Sequence, residues 1–242
     1  MTDDTVVVIG GGCSGVLVAR ELLRRPARTV VLVDPAAKPG RGVAYGAAAP
    51  WHLLNSPAGA MGADPERPGE FVAWCRARGH AVGPGDFLPR RWYGEYLRDV
   101  LRDLDATAPG RLVTHRARVN RVFCGAGPGL TVLLDRGVTI QADRVVLAVG
   151  QAAPQRPRGI EPSLRAHPRY VADPWAPGAL AAIPADEPVL LVGTGLTAVD
   201  LALTLAQAGR RAPVVATSRH GLLPRQHRQP EAGPPVAGPP AP

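Results

Sequence analysis

Only one of the chain's 28 basic residues is a lysine, Lys38, so its positive charge is almost wholly arginine. The net charge of +8 over 242 residues would suit a nucleic-acid surface, but the arginines are scattered rather than gathered into runs. Aromatic residues make up only 5% of the chain, too few for a base-stacking platform. No nucleic-acid partner is expected. The three cysteines, Cys13, Cys75 and Cys124, form no CxxC pair, which excludes a redox dithiol and a zinc knuckle. The six histidines show no HExxH or comparable spacing, so no metal is implied. Proline follows Lys38, which removes a GxxxxGK(S/T) phosphate loop, and no GxSxG nucleophile elbow occurs. The longest apolar stretch, near residues 189–208, is interrupted by glycines and Asp200 and is a poor membrane span. The opening Met1-Thr2-Asp3-Asp4 is acidic, unlike a secretory signal. The expectation is a soluble, cytoplasmic, reduced protein with a small-molecule substrate and no membrane partner.

What the chain has is glycine, placed in two turns far apart in sequence. In the first, Thr5 to Ile9 reads as a short buried strand, too short and too β-branched for a helix. It runs into Gly10-Gly11-Gly12-Cys13-Ser14-Gly15, and a helical pattern follows from about Ser14 to Arg25. Gly10 permits a sharp turn, Gly12 lets a pyrophosphate approach the backbone, and Gly15 lets helix and strand pack closely. The helix start around Cys13 and Ser14 would present its amides and dipole to the phosphates. A second strand, Thr29 to Val33, ends at Asp34, whose carboxylate can accept ribose hydroxyls and would repel a 2′-phosphate. The spacing therefore predicts FAD or NAD here rather than NADP.

The second turn repeats the pattern. Val189 to Val192 reads as a strand, Gly193-Thr194-Gly195 as the turn, and Leu196 to Ala208 as an amphipathic helix. Ala198 stands at the third glycine position, a substitution that the fingerprint tolerates. The next strand, Pro213 to Thr217, ends in Ser218-Arg219-His220 instead of an acid. A guanidinium at Arg219 suits a 2′-phosphate, so this site is expected to prefer NADPH. Asp200 reads as a polar first-turn residue favoured by the helix dipole.

Between the turns lies a Gly/Pro-rich loop from Pro39 to Gly46, running on to Pro57, long enough to wrap a ligand. Helices are predicted from about Pro65 to Arg78 and from about Arg91 to Ala106. Their Phe71, Trp74, Tyr93, Tyr96 and Leu97 read as core before ligand contacts. Short strands at Leu112–Val119, Val122–Cys124, Leu130–Leu134 and Val138–Ile140 suggest an antiparallel meander. Arg144 to Val149 would return to the parallel sheet. Residues 151–188 read as a proline-punctuated connector, and the tail from Gln229 as unable to pack. The expected fold is α/β: a Rossmann-like FAD-binding parallel sheet with a small antiparallel meander over 1–150, then a partial, Rossmann-like βαβ NAD(P) unit over 189–228.

In order along the chain, VVVIGGGCSG, GRGVAYG (40–46), HLLNSPAGAMG (52–62), FLPRRWYGEYL (87–97), GTGLTAVD (193–200) and SRHGLLPRQH (218–227) resemble the bacterial FAD/NAD(P)-binding flavoproteins. These share a two-dinucleotide fold with flavin N-hydroxylating and Baeyer–Villiger monooxygenases, and some resemble aspartate N-oxygenases. The resemblance implies hydride transfer from NADPH to FAD, then oxygenation of a small nucleophile such as an amine. It places Arg41 against FAD, Asn55, Pro57 and Met61 near the isoalloxazine, and Gly193, Gly195, Thr197 and Arg219 on NADPH. It identifies no catalytic acid or base. Ser56 stands where an aliphatic residue is expected, and Gly62 where a serine is. By the same resemblance the C-terminal half of the fold is absent: either the chain is a truncated product, or a partner chain supplies the remainder. Two other expectations compete: a non-catalytic nucleotide-binding or accessory subunit, and a dehydrogenase using only the first turn with NAD.

Overall fold

The structure is a computed structural model that describes residues 4–125, 127–152 and 159–227. The expected tail from 229 lies outside the described residues, as does part of the connector, 153–158. Four parallel strands form the first sheet: β1 (Asp4–Ile9), β2 (Arg28–Asp34), β3 (Leu112–Arg116) and β7 (Arg144–Leu147), in the order β3-β2-β1-β7. The central strands are runs of valine, isoleucine and leucine because both of their faces are covered.

On one face, Val8, Val30 and Leu32 pack against Ala19 and Leu23 of helix α1 (Cys13–Leu23) and against Ala108 and Leu112. On the other, Val7, Ile9, Val31 and Val33 meet Val132, Leu134 and Ala142 of an antiparallel meander. That meander is β4 (Val119–Cys124), β5 (Leu130–Leu134) and β6 (Thr139–Ala142). The segment Leu112–Val119, expected as one meander strand, divides. Its first part pairs with β2 while Leu112 is buried beneath the parallel sheet, and the chain leaves that sheet at Ala117. A period-two pattern cannot say which sheet a strand joins.

A third cluster lies beside α1. Leu54, Ala58 and Leu88 are buried there with Phe71, Val72 and Cys75 of helix α3 (Glu70–Ala77) and with Tyr93, Tyr96, Leu97 and Val100 of helix α4 (Arg90–Thr107). Of the aromatic residues read as core, Phe71, Tyr93 and Tyr96 are buried, and Trp74 packs half-buried against them. Helix α3 starts later than its pattern suggested. Asp64 accepts the backbone amides of Glu66 and Arg67 lies in the same turn, and Pro68 holds the segment ahead of Glu70 out of a helix. The loop after β2 contains a five-residue helix, α2 (Gly42–Gly46), and the connector a short helix, α5 (Pro162–Arg165). The last unit is β8 (Val189–Val192), α6 (Leu196–Gln207) and β9 (Val214–Thr217), two parallel strands with one crossover helix.

Asp64 ties α1 to the loop before α3. It is buried and meets Arg20 at 3.1 Å, Arg24 at 2.6 Å and Arg67 at 3.0 Å, while Glu70 takes Arg20 at 3.0 Å. Burial by itself would raise the Asp64 pKa, but hydrogen bonds from Arg67, the Glu66 amide and Arg24 outweigh it and hold the carboxyl at about 2. A depressed folded-state pKa stabilises the fold above the ordinary carboxylate value and is lost as pH falls through the folded one. The stability difference between the wild-type chain and Asp64→Asn is therefore expected to be full at neutral pH and to shrink between 3.8 and about 2. Urea midpoints measured across that window test it, and a pH-independent difference would refute it.

No described helix is long and apolar enough to cross a membrane.

Candidate functional site

The two glycine turns have the same backbone. Gly10 has φ +105° and donates its amide to Val33 O at 2.8 Å, while Gly193 has φ +113° and donates to Thr217 O at 2.7 Å. Such a positive φ strains any L side chain, so glycine is required at both positions. Two residues on, Gly12 (φ −74°, ψ −167°) and Gly195 (φ −75°, ψ −174°) cap α1 and α6, and neither helix has a side-chain cap. The first amides of each helix are thus left for a ligand.

The glycines differ in what surrounds them. A Cβ on Gly10 would lie 2.2 Å from Ala148 O, and one on Gly15 would lie 1.8 Å from Gly10 O, so both are needed by the fold itself. At Gly12 the nearest atom to such a Cβ is Gly42 Cα at 3.5 Å, and at Gly195 nothing lies within 4 Å. The protein leaves both positions open. An added methyl group there would meet little of the protein itself.

Gly12 also brings the start of α1 against the loop carrying Arg41. Arg41 caps the start of α2, and its Nε is buried with no partner among the described residues. An orphaned buried guanidinium nitrogen beside an open helix N-terminus fits an anionic dinucleotide. Gly94 makes room for it, since a Cβ there would lie 2.9 Å from Tyr45 Cβ and 3.1 Å from Arg41 Cγ. Sequence reasoning missed Gly94. Its signal was a glycine inside a long helix, a costly placement that usually has a packing reason.

Asp34 ends β2 as expected, and its carboxylate accepts the Gly11 amide at 2.6 Å and the Ala36 amide at 2.7 Å. Each oxygen keeps further acceptor capacity for ribose hydroxyls. Because Val33 and Thr217 accept the equivalent glycine amides, Ser218 is the counterpart of Asp34 in the second unit. Its hydroxyl oxygen lies 2.8 Å from Thr194 Oγ1 and accepts the Gly221 amide at 3.1 Å. Thr194 donates to Leu222 O at 2.5 Å, so its hydroxyl secures the loop after β9. Arg219 is exposed beside it, as is Thr197 in the first turn of α6.

The first site therefore gathers Gly10, Gly12, Cys13, Ser14, Gly15, Asp34 and Arg41. Asn55 is exposed and Met61 packs on the α3–α4 cluster, on either side of the turn Ala58–Ala60. Gly62 has a reason of its own: a Cβ there would lie 2.6 Å from Pro68 O, so a serine would not fit. Burial raises the Cys13 thiol pKa against a lowering contact from Tyr93, which keeps it a neutral turn residue. Among the described residues no cluster of His, Cys, Asp or Glu could hold a metal ion.

One expectation needs correction. Asp200 is not a first-turn residue held by the helix dipole but lies in the second turn of α6. It is buried and pairs with Arg90 of α4 at 2.6 Å. The helix dipole argument missed this because α6 lies against the first unit, where the carboxylate is buried on a guanidinium.

The FAD-NAD(P)-binding family matches residues 7–152. Two curated relatives are L-aspartate N-monooxygenases (nitrosuccinate-forming). The one from Streptomyces cremeus is 28% identical over 91% of this chain and 41% of its own length. The one from Streptomyces davaonensis is 30% identical over 85% of this chain and 39% of its own. The chain thus spans about two fifths of the length of the curated relatives it matches. A flavin monooxygenase from Stenotrophomonas maltophilia, 25% identical, superposes with a TM-score of 0.59 over 90% of this chain and 58% of that one. OTEMO in complex with FAD and NADP, at 17% identity and TM-score 0.61, shares the fold over 90% of this chain and 39% of its own. With its paired glycine turns and its three-layer core, the chain belongs to the FAD-NAD(P)-binding family.

Proposed function

We propose that this chain is the FAD-binding and NADPH-binding portion of a flavin-dependent monooxygenase acting on a small nucleophile such as an amine. One observation carries the reading: the same turn occurs twice with opposite chemistry at the strand end. Asp34 ends the first, an acceptor for ribose hydroxyls. A neutral Ser218 followed by Arg219 ends the second, where a 2′-phosphate would meet a guanidinium. The aspartate N-monooxygenases among the relatives support the substrate class.

The chain's own residues would bind and orient. Gly12 gives the pyrophosphate access to the amides of Cys13 and Ser14, and Arg41 supplies the balancing charge. Gly195 and Thr197 do the same for the nicotinamide cofactor. Bound flavin supplies hydride acceptance and oxygen activation.

A second feature bears on partners. Leu190, Val192 and Val215, on β8 and β9, are 61%, 62% and 54% exposed. Parallel sheets are ordinarily covered on both faces. The reading therefore includes a further layer over this face, from continuing polypeptide or from a partner chain. The same bare face favours one alternative, an accessory chain that binds nucleotide without turnover.

Purified protein is expected to take up added FAD and to be bleached by NADPH in preference to NADH. Arg219→Ala should weaken NADPH by about 1.5–3 kcal/mol and leave NADH nearly unchanged. Protein that takes up no FAD would sink the proposal, and equal losses for both nucleotides would sink the role of Arg219. Oxygen uptake driven by NADPH above the free-flavin background would eliminate the accessory alternative.

A further inference from the structure

Three distant segments meet at one ion pair. Asp200, in the second turn of α6, is 6% exposed and pairs with Arg90 at 2.6 Å. Arg90 also donates from Nε to Leu53 O at 3.0 Å and from its backbone amide to His52 O at 2.7 Å. His52 is 2% exposed and sits between the two units. The Ala49 amide donates to its Nδ1 at 3.1 Å, which requires a lone pair there and places the ring proton on Nε2. That Nε2–H faces Asp200 O at 3.1 Å and Thr204 Oγ1 at 2.9 Å. Thr204 in turn donates to Asp200 O at 2.8 Å and receives the Trp51 indole N–H at 3.3 Å. Four of these contacts cross between the units: Arg90 to Asp200, His52 to Asp200 O and to Thr204, and Trp51 to Thr204.

What these contacts join matters. On one side is the helix whose N-terminus forms the second glycine turn. On the other is the strap 49–54, continuous with Asn55 and with the turn that precedes Met61. A part-buried charged pair has one favoured geometry, unlike an apolar contact that slides. The geometry points to a positioning latch: Asp200, Arg90, His52 and Thr204 fix α6 on the strap and so set how the second nucleotide site faces the first. Asp200 touches neither cofactor in this scheme. It acts through the orientation of α6.

The latch itself is a matter of this chain's structure. Its consequence for hydride transfer rests on the two-site reading above. Hydrogen exchange on the purified chain tests the first. Asp200→Asn is expected to raise exchange in 196–204 and 49–54 together while β1 and β2 stay protected, and Arg90→Lys to restrain both segments more than Arg90→Ala does. Thr204→Val, which keeps the ion pair but loses the contacts of Trp51 and His52, should loosen the same two segments partially. If Asp200→Asn also exposes β1 and β2, Thr204→Val decides. A folded variant with both segments as protected as wild type overturns the latch.

Stopped-flow reduction of the FAD-loaded protein tests the second. Asp200→Asn should slow the limiting rate of flavin bleaching on the order of 10²-fold, as misplacement by about 1 Å does, with FAD uptake and NADPH affinity nearly unchanged. A loss of NADPH affinity with an unchanged limiting rate would overturn the positioning role. Wild-type protein that NADPH does not reduce refutes the proposed function, and the exchange result still judges the latch.

Discussion

Gly15→Ala is expected to destabilise the chain by about 3 kcal/mol or more, because its methyl carbon would lie 1.8 Å from Gly10 O. Nothing flexible can move aside there. The obstructing atom is backbone, held in the turn by the Gly10 amide bonded to Val33 O. Relief requires α1 to move off β1, and with it Val16, Ala19 and Leu23, which are buried against the sheet and the α3–α4 cluster. A urea or thermal unfolding curve reads the effect directly. A variant as stable as wild type would mean that the strand–helix contact is looser than described. This is the ordinary steric half of a glycine fingerprint, and it operates with or without a ligand.

Gly12→Ala separates the other half. Its methyl group would meet only Gly42 Cα at 3.5 Å, an ordinary contact, and φ −74° suits alanine. The fold should lose no more than about 1 kcal/mol, the difference between glycine and alanine as a helix cap. FAD affinity should nevertheless fall at least about tenfold, or ~1.4 kcal/mol, since the methyl stands where a pyrophosphate must approach the amides. Titration of the apoprotein with FAD, beside an unfolding curve, gives both numbers. The same substitution at Gly195, which has nothing within 4 Å, should spare FAD and weaken NADPH. Should Gly12→Ala bind FAD as wild type does, the first turn would be a structural corner and not a phosphate site.

Together the two substitutions explain why a glycine motif is ambiguous on paper. Gly10 and Gly15 are demanded by strand, turn and helix, whereas Gly12 and Gly195 are left bare by them. Sequence assigns these glycines their roles only by their places in the motif. Only coordinates show that two are filled against by backbone and two are open, and the open ones carry the functional argument.

Much of the rest was legible. Short valine-rich runs gave β1, β2, β7 and β8 within a residue or two, and in β1 and β2 that composition is buried on both faces. Aromatic spacing in α3 and α4 indicated the core, since burying Phe71, Tyr93 and Tyr96 is worth more than any surface role. The places of Asp34, at the end of β2, and of Arg219, just past β9, were legible, and their cofactor contacts belong to the proposal. The partition of Leu112–Val119 between two sheets was not, because alternation records which face is buried and not which neighbour pairs.

The sequence by itself determined the local units: two strand–turn–helix cradles, a helical core and a meander, each marked by its own pattern of apolar residues and glycine. The tertiary structure alone decided how those units face each other. Asp200, Arg90 and His52 lie 110 and 148 residues apart across their pairings, and no periodicity or propensity links them. A buried charge is tolerable only when its partner arrives from elsewhere in the fold, and that arrival is a property of three-dimensional packing.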